Sequence, residues 1–121
     1  MQRFNFLLII GLIILLTSCS KEVKKESIII EKKLGSQAIE AFNEGKKALE
    51  EGDSLFAAKK FNEVEILFPQ SDLAPRSLLM AAYAYYFQDY YQDAVAELQR
   101  FLRVYPLHEN IDYAYYLLAI S

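Results

Sequence analysis

The apolar positions beyond residue 36 recur at helical spacing. Ala94, Leu98, Phe101 and Tyr105 stand at i, i+4, i+7 and i+11, one stripe of an α-helix, and no segment alternates as a half-buried strand would. Local signals divide the region into five helices. The first is predicted over about residues 37–51, with Ser36 as N-cap and Gly52 free to take the left-handed conformation after its end. Asp53 or Ser54 caps a second helix that lasts to about Phe68, where Pro69 stops it. A third begins near Pro75, whose fixed φ suits a first turn, and runs to about Gln88. Asp89 caps a fourth, which ends before Pro106, and Asn110 or Asp112 opens a fifth.

The pattern also repeats at longer range. Adding 37 to the numbers of Ala57, Phe61, Val64, Phe68 and Pro69 gives Ala94, Leu98, Phe101, Tyr105 and Pro106. The same shift sends Ala41, Gly45 and Ala48 to Leu78, Ala82 and Tyr85, then Leu78 and Ala82 to Tyr115 and Ala119. Small residues recur where two helices must approach closely, with large ones beside them. This resembles the tetratricopeptide repeat, whose usual period of about 34 leaves room for three extra residues in the connection around positions 70–74. The resemblance implies an all-α helical solenoid of about two and a half repeats, at 38–71, 75–108 and an incomplete 112–121, within a repeat region of 37–121. Each repeat buries its apolar face only against its neighbours, and the third has no second helix to cover it. The chain is therefore expected to be the front part of a longer solenoid, truncated at its C-terminus.

The N-terminus is of another kind. Arg3 gives a short basic start, and residues 6–16 are an uncharged apolar run. As a helix that run spans about 16 Å, roughly half a bilayer core, which suits a signal peptide better than a membrane span. Leu16-Thr17-Ser18-Cys19 resembles the lipobox of bacterial lipoproteins. That resemblance implies removal of residues 1–18, a diacylglycerol on the Cys19 thiol and an acyl chain on its new amine. Ser20 rather than Asp follows the cysteine, similar to lipoproteins addressed to the outer membrane. Cys19 is thus expected to be an anchor and not a nucleophile. Residues 20–34 carry five Lys and three Glu, and 19–36 read as the lipidated cysteine and a charged tether. Within it, Ile28, Ile29 and Ile30 read as a patch packing on the first helix. Docking to a partner or to the bilayer surface is the alternative.

Composition narrows the chemistry. The 121 residues suffice for one small domain. One His and one Cys cannot build an ordinary metal site, and isolated glycines at 11, 35, 45 and 52 form no phosphate-binding loop. A net charge of −3, reaching −4 once Arg3 is removed, argues against a nucleic-acid partner. Glu63 and Glu65, two apart on a helix, point to different faces, and no nucleophile is visible, so no enzyme is expected.

A narrower resemblance lies in the second repeat. Ala84-Tyr85-Tyr86, then Phe101-Leu102-Arg103-Val104-Tyr105-Pro106-Leu107-His108, then Asn110-Ile111-Asp112-Tyr113, are similar to the BamD family of outer-membrane assembly lipoproteins. The equivalent stretch there has an aromatic pair, a Phe-aliphatic-Arg run ending in Pro, and a His-Pro-Asn-Ile-Asp-Tyr turn. The turn residues here are His108, Asn110, Ile111, Asp112 and Tyr113, with Glu109 in place of the Pro. The resemblance implies a non-enzymatic component of the β-barrel assembly machinery on the periplasmic face of the outer membrane. It carries no cofactor beyond the acyl groups on Cys19. Its implied partners are the barrel-forming subunit, the other lipoproteins of the machinery and unfolded outer-membrane proteins. N-terminal repeats of the family form a groove for the aromatic-ended C-terminal segment of the substrate. Another repeat lipoprotein of the envelope, for pilus assembly or division, is the alternative, and residues 110–113 argue against it.

All nine tyrosines lie between Tyr83 and Tyr116. Tyr combines apolar area, a hydrogen-bonding tip and few rotamers to freeze, which suits peptide recognition. Tyr83, Tyr86, Tyr113 and Tyr116 fall on the first helices of their repeats, so they are candidate groove residues, with core packing equally open. Tyr85 falls at a packing position. Phe68, before the Pro that ends the first repeat, is carried over from the family as a candidate substrate contact. His108 is expected to serve its turn. Arg100 and Arg103 are expected to complement a helix C-terminus rather than to recognise a carboxylate.

Overall fold

The structure, a computed structural model, describes residues 23–121, with side chains described from residue 27 on. Residues 1–18, read above as a signal peptide, and Cys19 lie outside the described residues. All regular elements among the described residues are helices: α1 Val23–Glu50, α2 Ser54–Leu67, α3 Leu73–Phe87, α4 Tyr91–Val104 and α5 Ile111–Ile120. No helix among the described residues is long and apolar enough to cross a membrane. The chain divides into two compact units, Met1–Glu31 and Lys32–Ser121.

In the first unit, residues 23–31 are helical. Helix α1 thus starts at Val23 and not near residue 37. Ser36 is no N-cap: its hydroxyl donates to the Lys33 carbonyl at 2.8 Å, the back-bond of a serine inside a helix. Lys and Glu are good helix formers, and extending an existing helix is far easier than nucleating one, so a charged stretch with a single glycine continues it. Ile28, Ile29 and Ile30 accordingly lie within the helix, exposed, rather than packing onto it.

The second unit holds the repeats. Helices α1, α3 and α5 take the A positions and α2 and α4 the B positions. Ala48, Ala57, Ala58, Phe61, Ala81 and Ala84 form a core that joins α1, α2 and α3. Leu78, Leu79, Ala82, Leu98, Phe101, Ala114 and Leu117 form the equivalent core of α3, α4 and α5. The stripe read from the sequence holds, with Ala94, Leu98 and Phe101 fully buried. Gly45 is required where it stands: a Cβ there would lie 2.8 Å from the Phe61 ring.

The 37-residue period extends to the backbone hydrogen bonds. Asp53 N–H donates to Ala48 at 2.8 Å, and Tyr90 N–H donates to Tyr85 at 3.0 Å. Phe68 N–H donates to Val64 at 2.9 Å, and Tyr105 N–H donates to Phe101 at 2.8 Å. Each bond is the other shifted by one repeat. Gly52 takes the left-handed conformation as expected, at φ +86°, and Asp53 caps α2 by accepting from the Phe56 N–H at 3.1 Å. Asp89 does not cap α4. It occupies the repeat position of Gly52 at φ +62°, leaving Tyr90 as a cap without a side-chain bond. Asp tolerates that region better than most residues, and its carboxylate accepts from the Tyr91 hydroxyl at 2.6 Å instead. Helix α3 begins two residues before Pro75, which stays within the first turn, where N–H groups lack helical partners anyway.

Candidate functional site

Helices α3 and α5 present a row of half-open aromatic side chains, beside Leu49 and Glu50 at the end of α1. Tyr83 and Phe87, one turn apart on α3, have ring centroids 6.2 Å apart. Together with Leu49 and Glu50 at the end of α1 they line a cavity of about 160 Å³. On α5, Tyr113 and Tyr116 lie 6.5 Å apart and are both exposed. Burial raises the Tyr113 phenol above its ordinary value of 10.0, and the nearby Tyr83 and Tyr116 hydroxyls add to the shift. The strip therefore runs from Leu49 through Phe87 and Tyr83 to Tyr113 and Tyr116. It offers ring faces for apolar side chains and hydroxyl tips for the polar groups of a bound backbone.

Three of the groove residues read from the sequence are thus brought together: Tyr83, Tyr113 and Tyr116. Tyr86, like Tyr83, packs partly buried on the core of α3, α4 and α5, and its ring lies 5.7 Å from Tyr91. Phe68 lies in a separate cluster with Ala38, Ala41, Val64, Leu67 and Leu73, its ring edge beside Gly35 of α1. Tyr85 is half-buried against the first core. Burial raises its phenol, and Glu97 and Asp93 add to the effect. Phe87 and Leu49 were not singled out in the sequence. Phe87 was within reach there, since it follows Tyr83 by one helical turn.

The turn after Pro106 is held by His108. Its Nδ1 accepts from the Asn110 N–H at 3.1 Å, and its ring stands edge-on to Phe101 at 5.4 Å. Its backbone N–H donates to Tyr105 and its carbonyl accepts from Ile111, both at 3.1 Å. Asn110 is the N-cap of α5 without a side-chain bond, and Asp112 is the acidic residue of the first turn.

On the B side, Arg100 does not serve the helix end. Its guanidinium donates to Glu97 at 3.0 Å, to Glu65 of α2 and to the Asn62 carbonyl oxygen at 3.3 Å, while Asn62 donates to Glu97 at 3.0 Å. Burial alone lowers its pKa, but Glu97 and Glu65 outweigh this and the net shift is upward. The carboxylates that Arg100 meets belong to its own chain, and they tie one repeat to the next. Among the described residues no group of three His, Cys, Asp or Glu could hold a metal ion.

Comparison with known proteins agrees with this architecture. The YfiO family model, described as outer membrane lipoprotein, matches residues 35–121. The outer membrane protein assembly factor BamD of Caulobacter vibrioides is 33% identical over 103 residues, which cover 84% of this chain and 32% of that protein. Its namesake from Rickettsia prowazekii is 33% identical over 120 residues, 99% of this chain and 45% of that protein. The namesake from Neisseria gonorrhoeae is 46% identical over 61 residues, 50% of this chain and 23% of that one. The chain spans less than half the length of these relatives. With helical repeats of this register and a match across most of its length, the chain belongs to the YfiO family of outer membrane lipoproteins.

Proposed function

We propose that this chain is part of a non-enzymatic lipoprotein that helps assemble outer-membrane β-barrel proteins. In this reading acylated Cys19 anchors it on the periplasmic face of the outer membrane. Its partners are the barrel-forming subunit, the other lipoproteins of the assembly machinery and unfolded outer-membrane proteins. The strip of Tyr83, Phe87, Tyr113 and Tyr116 receives an extended substrate segment. Phe68 and Tyr86 are given packing roles in their own clusters.

The observation that carries this reading is the strip of exposed Tyr113 and Tyr116 on α5 and half-buried Tyr83 with exposed Phe87 on α3. Strands of membrane barrels alternate apolar and polar side chains and carry aromatic girdles near their ends. An unpaired strand therefore offers the strip apolar groups for its rings and free backbone groups for its hydroxyls. The naming of the relatives as assembly factors supports the same reading.

The test is capture of a synthetic peptide with an aromatic C-terminus. Tyr83→Ala and Tyr116→Ala are each expected to weaken capture about tenfold, the size of an interface hot spot, with helicity unchanged. Unchanged capture in both variants contradicts the assignment.

A further inference from the structure

The cavity beside the aromatic strip is not apolar throughout. Leu49 and Glu50 reach it from the last turn of α1, and Tyr83 and Phe87 from the last turns of α3. Glu50 and Phe87 are one 37-residue period apart, and each closes its helix at the same position of the repeat. Sites for small molecules usually exceed about 300 Å³. At about 160 Å³ this one suits a single long side chain.

Glu50 sets the sign of that side chain. Among the described residues Glu51 pairs with Lys47 at 3.8 Å, Glu44 and Glu63 pair with Lys60 at 2.8 and 3.0 Å, and Glu65 and Glu97 pair with Arg100. Glu50 has no ion-pair partner among them, although Lys46 stands four residues before it. The turns after α1 and α3, residues 51–53 and 88–90, add Glu51, Asp53 and Asp89 and no Lys or Arg. An apolar side chain in the cavity would strip water from the Glu50 carboxylate, which is costly without a partner. A lysine or arginine avoids that cost, because its stem lies along Leu49 and the rings while its charged head meets the carboxylate. The ring faces attract the same cation. The first repeat holds such an arrangement internally: Lys60 Nζ lies 5.7 Å from the centre of the Phe56 ring while paired with Glu44 and Glu63.

We propose that this cavity is a subsite for one basic side chain of the segment bound along the strip, with Glu50 pairing its charge and Tyr83 and Phe87 receiving its stem. This rests on the reading of the strip as a peptide groove. Tyr83 belongs to both cavity and strip, so the subsite selects segments that carry a lysine or arginine at a fixed register from the aromatic group seated on α5.

The probe is a set of synthetic peptides with an aromatic C-terminus and a single Arg moved stepwise through the residues before it. Each is compared, for capture by the full chain, with the same peptide carrying Gln instead. Arg at one register is expected to tighten capture about fivefold over Gln, and not at the adjacent positions, whose side chains point to the other side of an extended segment. Glu50→Gln should bring that ratio back to about one. Glu50→Lys should make a peptide with Glu at that register the preferred one. Glu50 is exposed at a helix end, so neither exchange threatens the fold. An equal gain from Arg at every register overturns the subsite in favour of general attraction to an acidic chain. A gain that survives Glu50→Gln overturns it too, because the cation is then seated elsewhere. Capture of the Gln peptides with no gain from Arg at any register overturns the subsite and leaves the strip intact. Capture of no peptide overturns the strip reading, and the subsite with it.

Discussion

The first repeat joins Gly45 to Phe61 at the register where the second joins Ala82 to Leu98. The small side has gained a methyl group and the large side has lost volume, so the close approach of helices A and B is kept with different residues. A similar exchange occurs at the A–B turn, where Gly52 and Asp89 both adopt positive φ one period apart. What the repeats share is space and backbone conformation, which residue identity tracks only loosely. Their open faces have diverged further, because every tyrosine lies in the second repeat or beyond it.

The volume exchange can be broken directly. Gly45→Ala places a Cβ 2.8 Å from the Phe61 ring and is expected to cost about 1–3 kcal/mol in denaturant unfolding, the range for overpacking. Phe61→Leu alone leaves a cavity and costs about 1–2 kcal/mol. The double variant copies the second repeat's pair, and its loss should fall short of the sum by about 1 kcal/mol or more. Strict additivity would show that the two positions are not complementary.

The B side offers the next largest effect. Arg100→Ala leaves Glu65 and Glu97 facing each other without their shared cation. Because the Arg100 side chain is 36% exposed, the loss should be about 1–2 kcal/mol, below that of a buried pair. Adding Glu65→Gln should return part of it. If it returns nothing, the clamp between repeats is not electrostatic.

The two turns give a smaller contrast. Gly52→Ala meets no neighbour within 4 Å, so its cost of about 1 kcal/mol is backbone strain alone. Asp89→Gly relieves that strain but removes the bond from Tyr91, so its gain should stay below about 1 kcal/mol. Equal and opposite effects would mean that the Tyr91 bond contributes nothing.

Alkaline titration separates the repeats most gently. Burial raises the phenols of Tyr85, Tyr105 and Tyr113 above 10.0, so above that pH the unfolded chain releases protons that the fold retains. Their contribution is intact below pH 10 and declines as pH rises through the folded values. Lys60, raised by Glu44 and Glu63, acts in the same direction from the first repeat, but at the surface, where solvent screens it. Loss of near-ultraviolet tyrosine dichroism should therefore begin above pH 10. A transition centred near neutrality would contradict this.

Much of this was legible because it depends on spacing. The 37-residue offset located both cores, and the left-handed Gly52, the Asp53 cap and the stops before Pro69 and Pro106 are local signals. The early start of α1 was not legible, since Lys and Glu serve a solvated tether and a helix equally well. Arg100 gave no sign of its partner because Glu65 lies 35 residues away, and only packing brings the two helices together. Asp89 looked like a cap because Asp is common in both roles. Among the tyrosines, composition could not separate Tyr86, drawn into packing by its neighbour Tyr91, from Tyr116, which stays open.

The most direct test places a photo-crosslinking amino acid at Tyr116 of the full chain in cells, with a second chain labelled at Leu107, exposed in the turn between α4 and α5. Adducts with unfolded outer-membrane proteins from position 116, and few or none from 107, are the predicted result. Equal labelling from both positions, or adducts confined to pilus or division proteins, would contradict it.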